Sequence, residues 1–210
     1  NVPVQSHLSE NHGEIEWVAA LHPEAANYTD VYYEHHLMGK VPTVMAHCIH
    51  LSDVEMDRMA ETQTMVSHCP YSNVNLSSGI APIRKLFERK IPIGLGSDIS
   101  GGHIVSMAKV LTEAIGLSKM KWVEVDQTYA PLTLSEAFYM ATKGGGKFFG
   151  KVGSFEKGCE LDALVIDDTT LFDPNERSLE ERLERWLYVG DDRHIVERYV
   201  AGKVAPEPTN

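Results

Sequence analysis

The sequence is poor in cysteine, lacks long apolar runs and has no excess of basic residues. Three cysteines, Cys48, Cys69 and Cys159, form no C-x-x-C pair in 210 residues, so neither a disulfide framework nor a thiolate zinc site is expected. The 30 acidic residues outnumber the 19 basic ones, and the formal net charge of −11 disfavours nucleic acid as a partner. No apolar run approaches the roughly 18 residues of a membrane span. No signal-peptide pattern opens the chain, and we expect a cytoplasmic protein that binds neither nucleic acid nor membrane.

Two sequence motifs of known enzyme classes are also missing. Gly94 and Gly96 suggest a dinucleotide-binding loop, but the third glycine of that fingerprint is absent. The pairing of H-x-E with P-C-x-x-C that marks cytidine deaminases does not occur. A dinucleotide-binding domain and the cytidine deaminase fold are therefore both excluded.

Short apolar strands alternate with amphipathic helices through the first 150 residues. Capping boxes at Ser52 and Thr133 mark the starts of two helices. This alternation is typical of parallel βαβ units with right-handed crossovers. The predicted strands are residues 2–7, 43–47, 64–67 and 91–95, and the longest predicted helix covers residues 103–119.

The pattern changes after residue 150. Residues 162–166 and 195–200 are predicted as short strands, and a charged helix that begins at a Ser178 capping box lies between them. We predict that residues 1–150 form one α/β unit and that residues 151–210 belong mostly to a second, β-rich unit.

Polar residues fall at the end of each predicted strand of the first unit. His7, His47, His68 and Asp98 stand there in successive βα units. Active sites of parallel α/β folds gather at this edge of the sheet, and imidazole and carboxylate are ligands of catalytic zinc. Glu10, three residues after His7, is placed either to move a proton at such a site or simply to begin the next helix. The polar residues 73–79 lie at the same rim, and the sequence leaves open whether they form a lid or a cluster of turns.

Four strings and the tail carry a resemblance to a known family. The strings are QSHLSEN (residues 5–11), MAHC (45–48), SHCPYSN (67–73) and GLGSDISGG (94–102), with LYVGDDRHIVERYVAGK (187–203) as the tail. In order and spacing they resemble the second half of the amidohydrolase-superfamily barrel, and within it the guanine deaminase family. The resemblance implies the C-terminal half, about four βα units, of a TIM-like (β/α)8 barrel plus part of a small β-rich domain.

The resemblance also implies a reaction and a role for each residue. It implies a zinc-dependent hydrolysis of guanine to xanthine and ammonia, with a purine as the small-molecule partner and a homodimer as the assembly. His7 and Asp98 would bind zinc, His47 would hydrogen-bond the water or the substrate, and Glu10 would carry a proton to the purine ring. Asp98 would also take a proton from the attacking water, and all four residues would contact the substrate. His68 would serve the structure.

One family motif is absent from the sequence. The H-x-H pair that supplies two further zinc ligands in these barrels occurs nowhere in the chain, and two ligands fall short of the three expected at a catalytic zinc. We therefore expect the chain to be the C-terminal half of a longer hydrolase, with weak zinc affinity and little activity on its own.

Two other functions stay open at this point. The first is an amidohydrolase that acts on a different heterocycle, such as an adenosine-type, cytosine or triazine deaminase or a chlorohydrolase, because this half does not fix the choice of ring. The second is a non-catalytic α/β module whose histidines only pack.

Overall fold

A four-stranded parallel sheet forms the centre of the chain. The structure, a computed structural model, describes residues 2–206. The strands pair in the order β1-β2-β3-β4, and every pair is parallel. The predicted α/β class is therefore confirmed. The strands are β1 (Val4–Leu8), β2 (Thr43–His47), β3 (Met65–His68) and β4 (Ile93–Leu95).

Helices connect the strands, and polar side chains cap several of them. Asn11, Asn27, Ser52, Thr133 and Ser178 each accept a hydrogen bond from a backbone N–H in the first turn of their helix. Within residues 2–206, none of the helices combines the length and apolar character needed to cross a bilayer. The helices are α1 (His12–Leu21), α2 (Tyr28–Glu34), α3 (Asp53–Thr62), α4 (Pro70–Asn75), α5 (Ile83–Glu88), α6 (Met107–Glu124), α7 (Leu134–Tyr139) with a π-helical continuation (Met140–Gly144), and α8 (Leu179–Val189).

Helices α2, α4 and α6 depart from the sequence prediction. Helices α2 and α4 were not predicted, because six or seven residues show too little of the helical period to be recognised. Helix α6 begins at Met107 rather than at residue 103. The residues before it fold into a compact turn, in which the Gly102 N–H donates to the Asp98 carbonyl over 2.6 Å and the Ser100 N–H donates to the Gly102 carbonyl over 2.9 Å.

The hydrophobic core lies between the sheet and the helices. Met45 and Val66 from the strands pack in the same cluster as Leu111 and Ile115 of α6, and all four are buried. Burial of such side chains contributes about 1.5–3 kcal/mol each. This core fixes the strands that carry the polar residues at their ends.

The last part of the chain contains a second sheet. Strands β5 (Ala163–Ile166), β6 (Ile195–Val200) and β7 (Lys203–Val204) pair antiparallel. Helix α8, which precedes β6, nevertheless buries Trp186 and Leu187 in the core of the first sheet. Lys109 of α6 donates to the Tyr188 carbonyl over 2.9 Å. The boundary after residue 150 stays a prediction.

A bidentate ion pair joins α5 to α7. The two terminal nitrogens of Arg84 donate to the two carboxylate oxygens of Glu136 over 2.6 and 2.8 Å. The same carboxylate accepts the Thr133 N–H of the capping box over 2.9 Å. The hydrogen bond from Arg84 is the main reason that the pKa of Glu136 is lowered to about 2.

We expect Glu136→Gln to cost about 2 kcal/mol at neutral pH, because a charge-assisted hydrogen bond within the fold is lost. The folded-state pKa of about 2 lies below the ordinary 4.5, so the stabilisation is present above pH 4.5 and is lost as the pH falls towards 2. Thermal melting of wild type and variant over this pH range measures it. Asp57→Asn, which breaks an exposed ion pair with Arg89, is the matched control and should cost less. If the stability difference between wild type and Glu136→Gln grew as the pH fell, the lowered pKa of Glu136 would be contradicted.

Candidate active site

The inner face of the parallel sheet lines an open groove of about 720 Å³. Alternate strand residues face it, as the two-residue period of a strand requires. Asp98 reaches the same groove from the loop after β4, so the structure places His7 and Asp98 along one cavity. The strand residues that line it are Gln5 and His7 of β1, Val44 and Ala46 of β2, Met65 and Ser67 of β3, and Gly94 and Leu95 of β4.

His47 reaches this site through an unusual backbone conformation. In the sheet register Leu8 pairs with His47, while His7 pairs with Ala46, so strand alternation alone would direct His47 away from the groove. Instead His47 and Cys48 both take the left-handed conformation, with φ of 69° and 52°. The buried His47 ring then stacks on the His7 ring at 5.3 Å between centroids. Non-glycine residues rarely adopt this conformation, and functional sites are where such strain is commonly held.

Two carboxylates converge on one nitrogen of His47. The distance from His47 Nε2 is 3.8 Å to Glu10 Oε2 and 4.0 Å to Asp98 Oδ2. The His47 side chain is 2% exposed, that of Glu10 17% and that of Asp98 32%. An imidazole held between two carboxylates at the edge of a groove is suited to accepting and passing protons.

Glu10 precedes helix α1 rather than beginning it. The helix is capped by Asn11, and its first-turn acid is Glu14, whose carboxylate accepts the Glu10 N–H over 2.7 Å. Glu10 Oε1 accepts the Ser78 hydroxyl over 2.8 Å, which leaves Oε2 on the side of His47. Glu10 therefore lies outside the first turn of α1, and its role in proton transfer stays a prediction.

His68 lies apart from the other strand-end residues. Its ring lines a separate cavity of about 200 Å³ on the side of the sheet that α5 and α6 cover. Burial lowers the pKa of His68 to about 3, so the imidazole is neutral at physiological pH. The structure thus brings together His7, His47 and Asp98 with Glu10, and it places His68 on the other face of the sheet.

The thiols differ in their surroundings. Cys48 and Cys69 are buried, while Cys159 is only partly buried. Burial raises the pKa of the Cys48 thiol, and it raises the pKa of Cys69 to about 11. Both buried thiols are therefore protonated at neutral pH, as expected of small buried hydrophobic residues.

His7 and Asp98 are groove residues with the donor chemistry of a catalytic zinc site, whereas Cys69, which also lines the groove, has a pKa raised to about 11 and is protonated at neutral pH. Among residues 2–206, no group of three or more histidine, cysteine or acidic side chains is arranged to hold a metal ion. The residues in place therefore fit part of a zinc site, with two donors where three protein ligands are usual.

The sequence signature of the amidohydrolase family matches residues 1–205. The chain belongs to the amidohydrolase family. It is similar to the guanine deaminase of Dictyostelium discoideum, with 42% identity over 206 residues that cover 95% of this chain and 45% of that protein. This amidohydrolase chain spans about half the length of the curated relatives it matches.

Solved structures show the same likeness in three dimensions. The guanine deaminase from C. acetobutylicum, solved with bound guanine in the active site, matches with a TM-score of 0.93 and 52% identity over 97% of this chain and 48% of that chain. An adenosine deaminase from Xanthomonas campestris, solved with bound zinc, matches with a TM-score of 0.77 and 25% identity over 97% of this chain and 45% of that chain. These neighbours support an amidohydrolase barrel fold and a metal cofactor.

Several residues around the site were not predicted from the sequence. Gln5 lines the groove, and the two-residue period of a strand could have found it, because it lies two residues before His7. Tyr32 of the unpredicted helix α2 donates to the His7 carbonyl over 3.0 Å, and Ser6 lies 2.8 Å from the same phenol oxygen. The hydrogen bonds of Asn73 and Ser78 to site residues had no signal in the sequence beyond the polarity of residues 73–79.

Gly101 packs directly against the Asp98 carboxylate. A Cβ at this position would lie 2.7 Å from Asp98 Oδ2 and 2.6 Å from Ser72 Oγ. We expect Gly101→Ala to displace the carboxylate and to weaken zinc binding by the intact protein about 10-fold or more. Titration with zinc measures this. Gly116→Ala in α6, where nothing lies within 4 Å of the added Cβ, is the control. Equal zinc affinity in the two variants would contradict the prediction.

Proposed function

We propose that the intact protein that carries this chain is a zinc-dependent guanine deaminase. The observation that carries the proposal is the convergence of Glu10 and Asp98 on His47 Nε2, at 3.8 and 4.0 Å, beside the groove. The guanine deaminases of D. discoideum and C. acetobutylicum, the latter with guanine in its active site, support the choice of substrate. The net reaction converts guanine and water into xanthine and ammonia.

The bond changes define what the residues must do. A water oxygen adds to the ring carbon that bears the exocyclic amine, and the bond from that carbon to the amine nitrogen then breaks. Water must lose a proton as it adds, the neighbouring ring nitrogen must gain one, and the amine must be protonated in order to leave as ammonia. General acid and base groups beside the carbon are needed for each transfer.

The three converging side chains can divide these transfers. Asp98 accepts a proton from the attacking water, and Glu10 carries a proton to the ring nitrogen and later to the amine. His47 hydrogen-bonds the water or the substrate through Nε2, which faces both carboxylates. His7 stacks on His47 and closes the same end of the groove. All four side chains contact the purine in this proposal.

His7 and Asp98 would hold the zinc ion. A bound zinc ion lowers the pKa of water towards about 7, which makes a nucleophile available at neutral pH. Because residues 2–206 offer two donors where three are usual, we propose that further zinc ligands come from outside these residues. Zinc is favoured over other metals by the imidazole and carboxylate donors and by the zinc-bound adenosine deaminase.

A second substrate class is supported by one observation. The adenosine deaminase from X. campestris shares the fold with 25% identity, so the same proton-handling groups are compatible with another amino-substituted heterocycle. Comparing kcat/KM for guanine, adenine, adenosine, cytosine and melamine with the intact protein decides between them. The homodimer and the cytoplasmic location stay predictions from the sequence.

We expect Glu10→Gln to lower kcat for xanthine formation by about 10²–10⁴-fold, because a general acid is lost while the shape of the side chain is kept. Asp98→Asn should lower it at least as much and should also weaken zinc binding. Glu16→Gln, an exposed acid on α1, is the matched control. Wild-type rates in Glu10→Gln at saturating guanine would sink the assignment of the proton shuttle.

The 210-residue chain alone is expected to form xanthine at least about 10²-fold more slowly than the intact protein and to bind zinc more weakly. The physical reason is a donor set with too few protein ligands. Xanthine formation and zinc titration of both proteins in metal-replete buffer measure this. Full turnover by the 210-residue chain would show that the two donors suffice.

A further inference from the structure

We propose that residues 73–78, called the 73–78 segment here, act as one positioning device that orients both His47 and Glu10. The inference rests on the proposed function for its catalytic consequence. Its structural basis is independent of that function, since three side chains of the segment contact the last residue of β2 and the loops that follow β1 and β4. Asn73 and Ser78 are therefore positioning residues, because they act through His47 and Glu10.

Asn73 determines which nitrogen of His47 faces the carboxylates. Its side chain is fully buried, and its amide oxygen lies 2.9 Å from His47 Nδ1. An amide oxygen can only accept, so this contact requires a hydrogen on Nδ1, and an uncharged ring then has Nε2 as its acceptor. Nε2 is the atom that faces Glu10 and Asp98. Asn73 thereby sets the tautomer in which His47 can receive a hydrogen bond from water or from a protonated carboxyl group.

Ser78 holds Glu10 by one oxygen. The buried hydroxyl donates to Glu10 Oε1 over 2.8 Å, and the other carboxylate oxygen remains towards His47. Ser78 is itself fixed, because its N–H donates to the Asn73 carbonyl and its own carbonyl accepts from His50 Nε2, each over 2.8 Å. The orientation of Glu10 thus depends on a hydroxyl that the backbone of Asn73 keeps in place.

The local sequence explains why one short segment reaches three loops. Pro70 in the first turn starts α4 directly after β3, and the helix ends at Asn75. Left-handed turns at Ser77 and Gly79, with φ of 57° and 129°, bring the chain back across the strand ends. Asn75 donates to the Gly101 carbonyl over 2.7 Å, which ties the segment to the loop of Asp98.

The contribution of such a device is geometric. Misplacement of a reacting group by about 1 Å can cost about 10²-fold in rate even when substrate binding is unchanged. Loss of a contact that only orients Glu10 should therefore lower kcat and leave KM nearly constant.

The first test uses the intact protein and guanine. Ser78→Ala is expected to lower kcat about 10-fold or more, while KM changes less than about 2-fold. Ser78→Thr keeps a hydroxyl and should recover most of the lost kcat. Ser135→Ala, which removes an exposed hydroxyl on α7 outside the segment, is the control. In a Glu10→Gln background Ser78→Ala should add less than about 2-fold, since the two residues act through one path. Additive losses, or a Ser78→Ala variant with wild-type kcat, would overturn the proposal.

The second test does not depend on activity. Nitrogen chemical shifts of the His47 ring at neutral pH are expected to report the Nδ1–H tautomer in the wild type and a mixture of tautomers in Asn73→Ala. Should Asn73→Ala not fold, Asn73→Asp keeps an acceptor and should retain the wild-type tautomer. An Nε2–H tautomer in the wild type, or the same tautomer in Asn73→Ala as in the wild type, would overturn the role of Asn73. Failure of wild-type protein to form xanthine would instead refute the proposed function and leave this result standing by itself.

Discussion

The parallel pairing of β2 with β1 and β3 is the constraint on which the rest of the site depends. Because all strands run in one direction, their carboxyl ends lie at one edge of the sheet, which is the edge that carries Glu10, His47 and Asp98. The register then decides how the ends meet. Pairing of Leu8 with His47 brings the carboxyl-terminal end of β2 beside Ser9. The Ser9 carbonyl then accepts hydrogen bonds from the N–H groups of Ile49 and His50, over 3.1 Å each. A register shift of one residue would break this link between the two loops.

Left-handed backbone at the strand ends converts that edge into a site. Ser9, His47 and Asp98 all have positive φ, at 49°, 69° and 44°, and each lies where a strand-end residue must be redirected towards the groove. None of the three is glycine, so each conformation costs of the order of 1 kcal/mol or more. Hydrogen bonds of the neighbouring backbone offset this conformational cost. The Cys48 N–H, next to His47, donates to the Leu8 carbonyl over 2.9 Å. Function therefore depends on local strain that the sheet and its loops stabilise together.

The same two features separate what the sequence predicts from what it does not. The four strands and their polar ends follow from apolar runs broken by histidine or glycine, and β2 was predicted with its observed bounds. His47 and His68 look alike in the sequence, since both close an apolar strand and precede a cysteine. Only the register and the left-handed turn at His47 place one ring against His7 beside the groove and the other on the helix side. Contacts between residues far apart in the chain were equally hidden: Ser78 and Glu10 are 68 residues apart, and no local pattern encodes their hydrogen bond.

Metal binding and proton transfer are distributed differently along the chain. In the proposed function, His7 and Asp98 are a partial set of zinc donors. The groups proposed to move protons lie close together, because Glu10 and Asp98 lie within 4.0 Å of His47 Nε2, and Glu10 and His47 each have a further hydrogen-bond partner in the 73–78 segment. Groups that must exchange protons need angstrom-scale placement relative to one another, and a single sheet edge with one bridging segment supplies it. A metal ligand also needs precise placement, but it can come from any strand whose end reaches the ion. In the proposed function, the zinc ligands therefore come from separate parts of the barrel, while the described residues hold the proton relay.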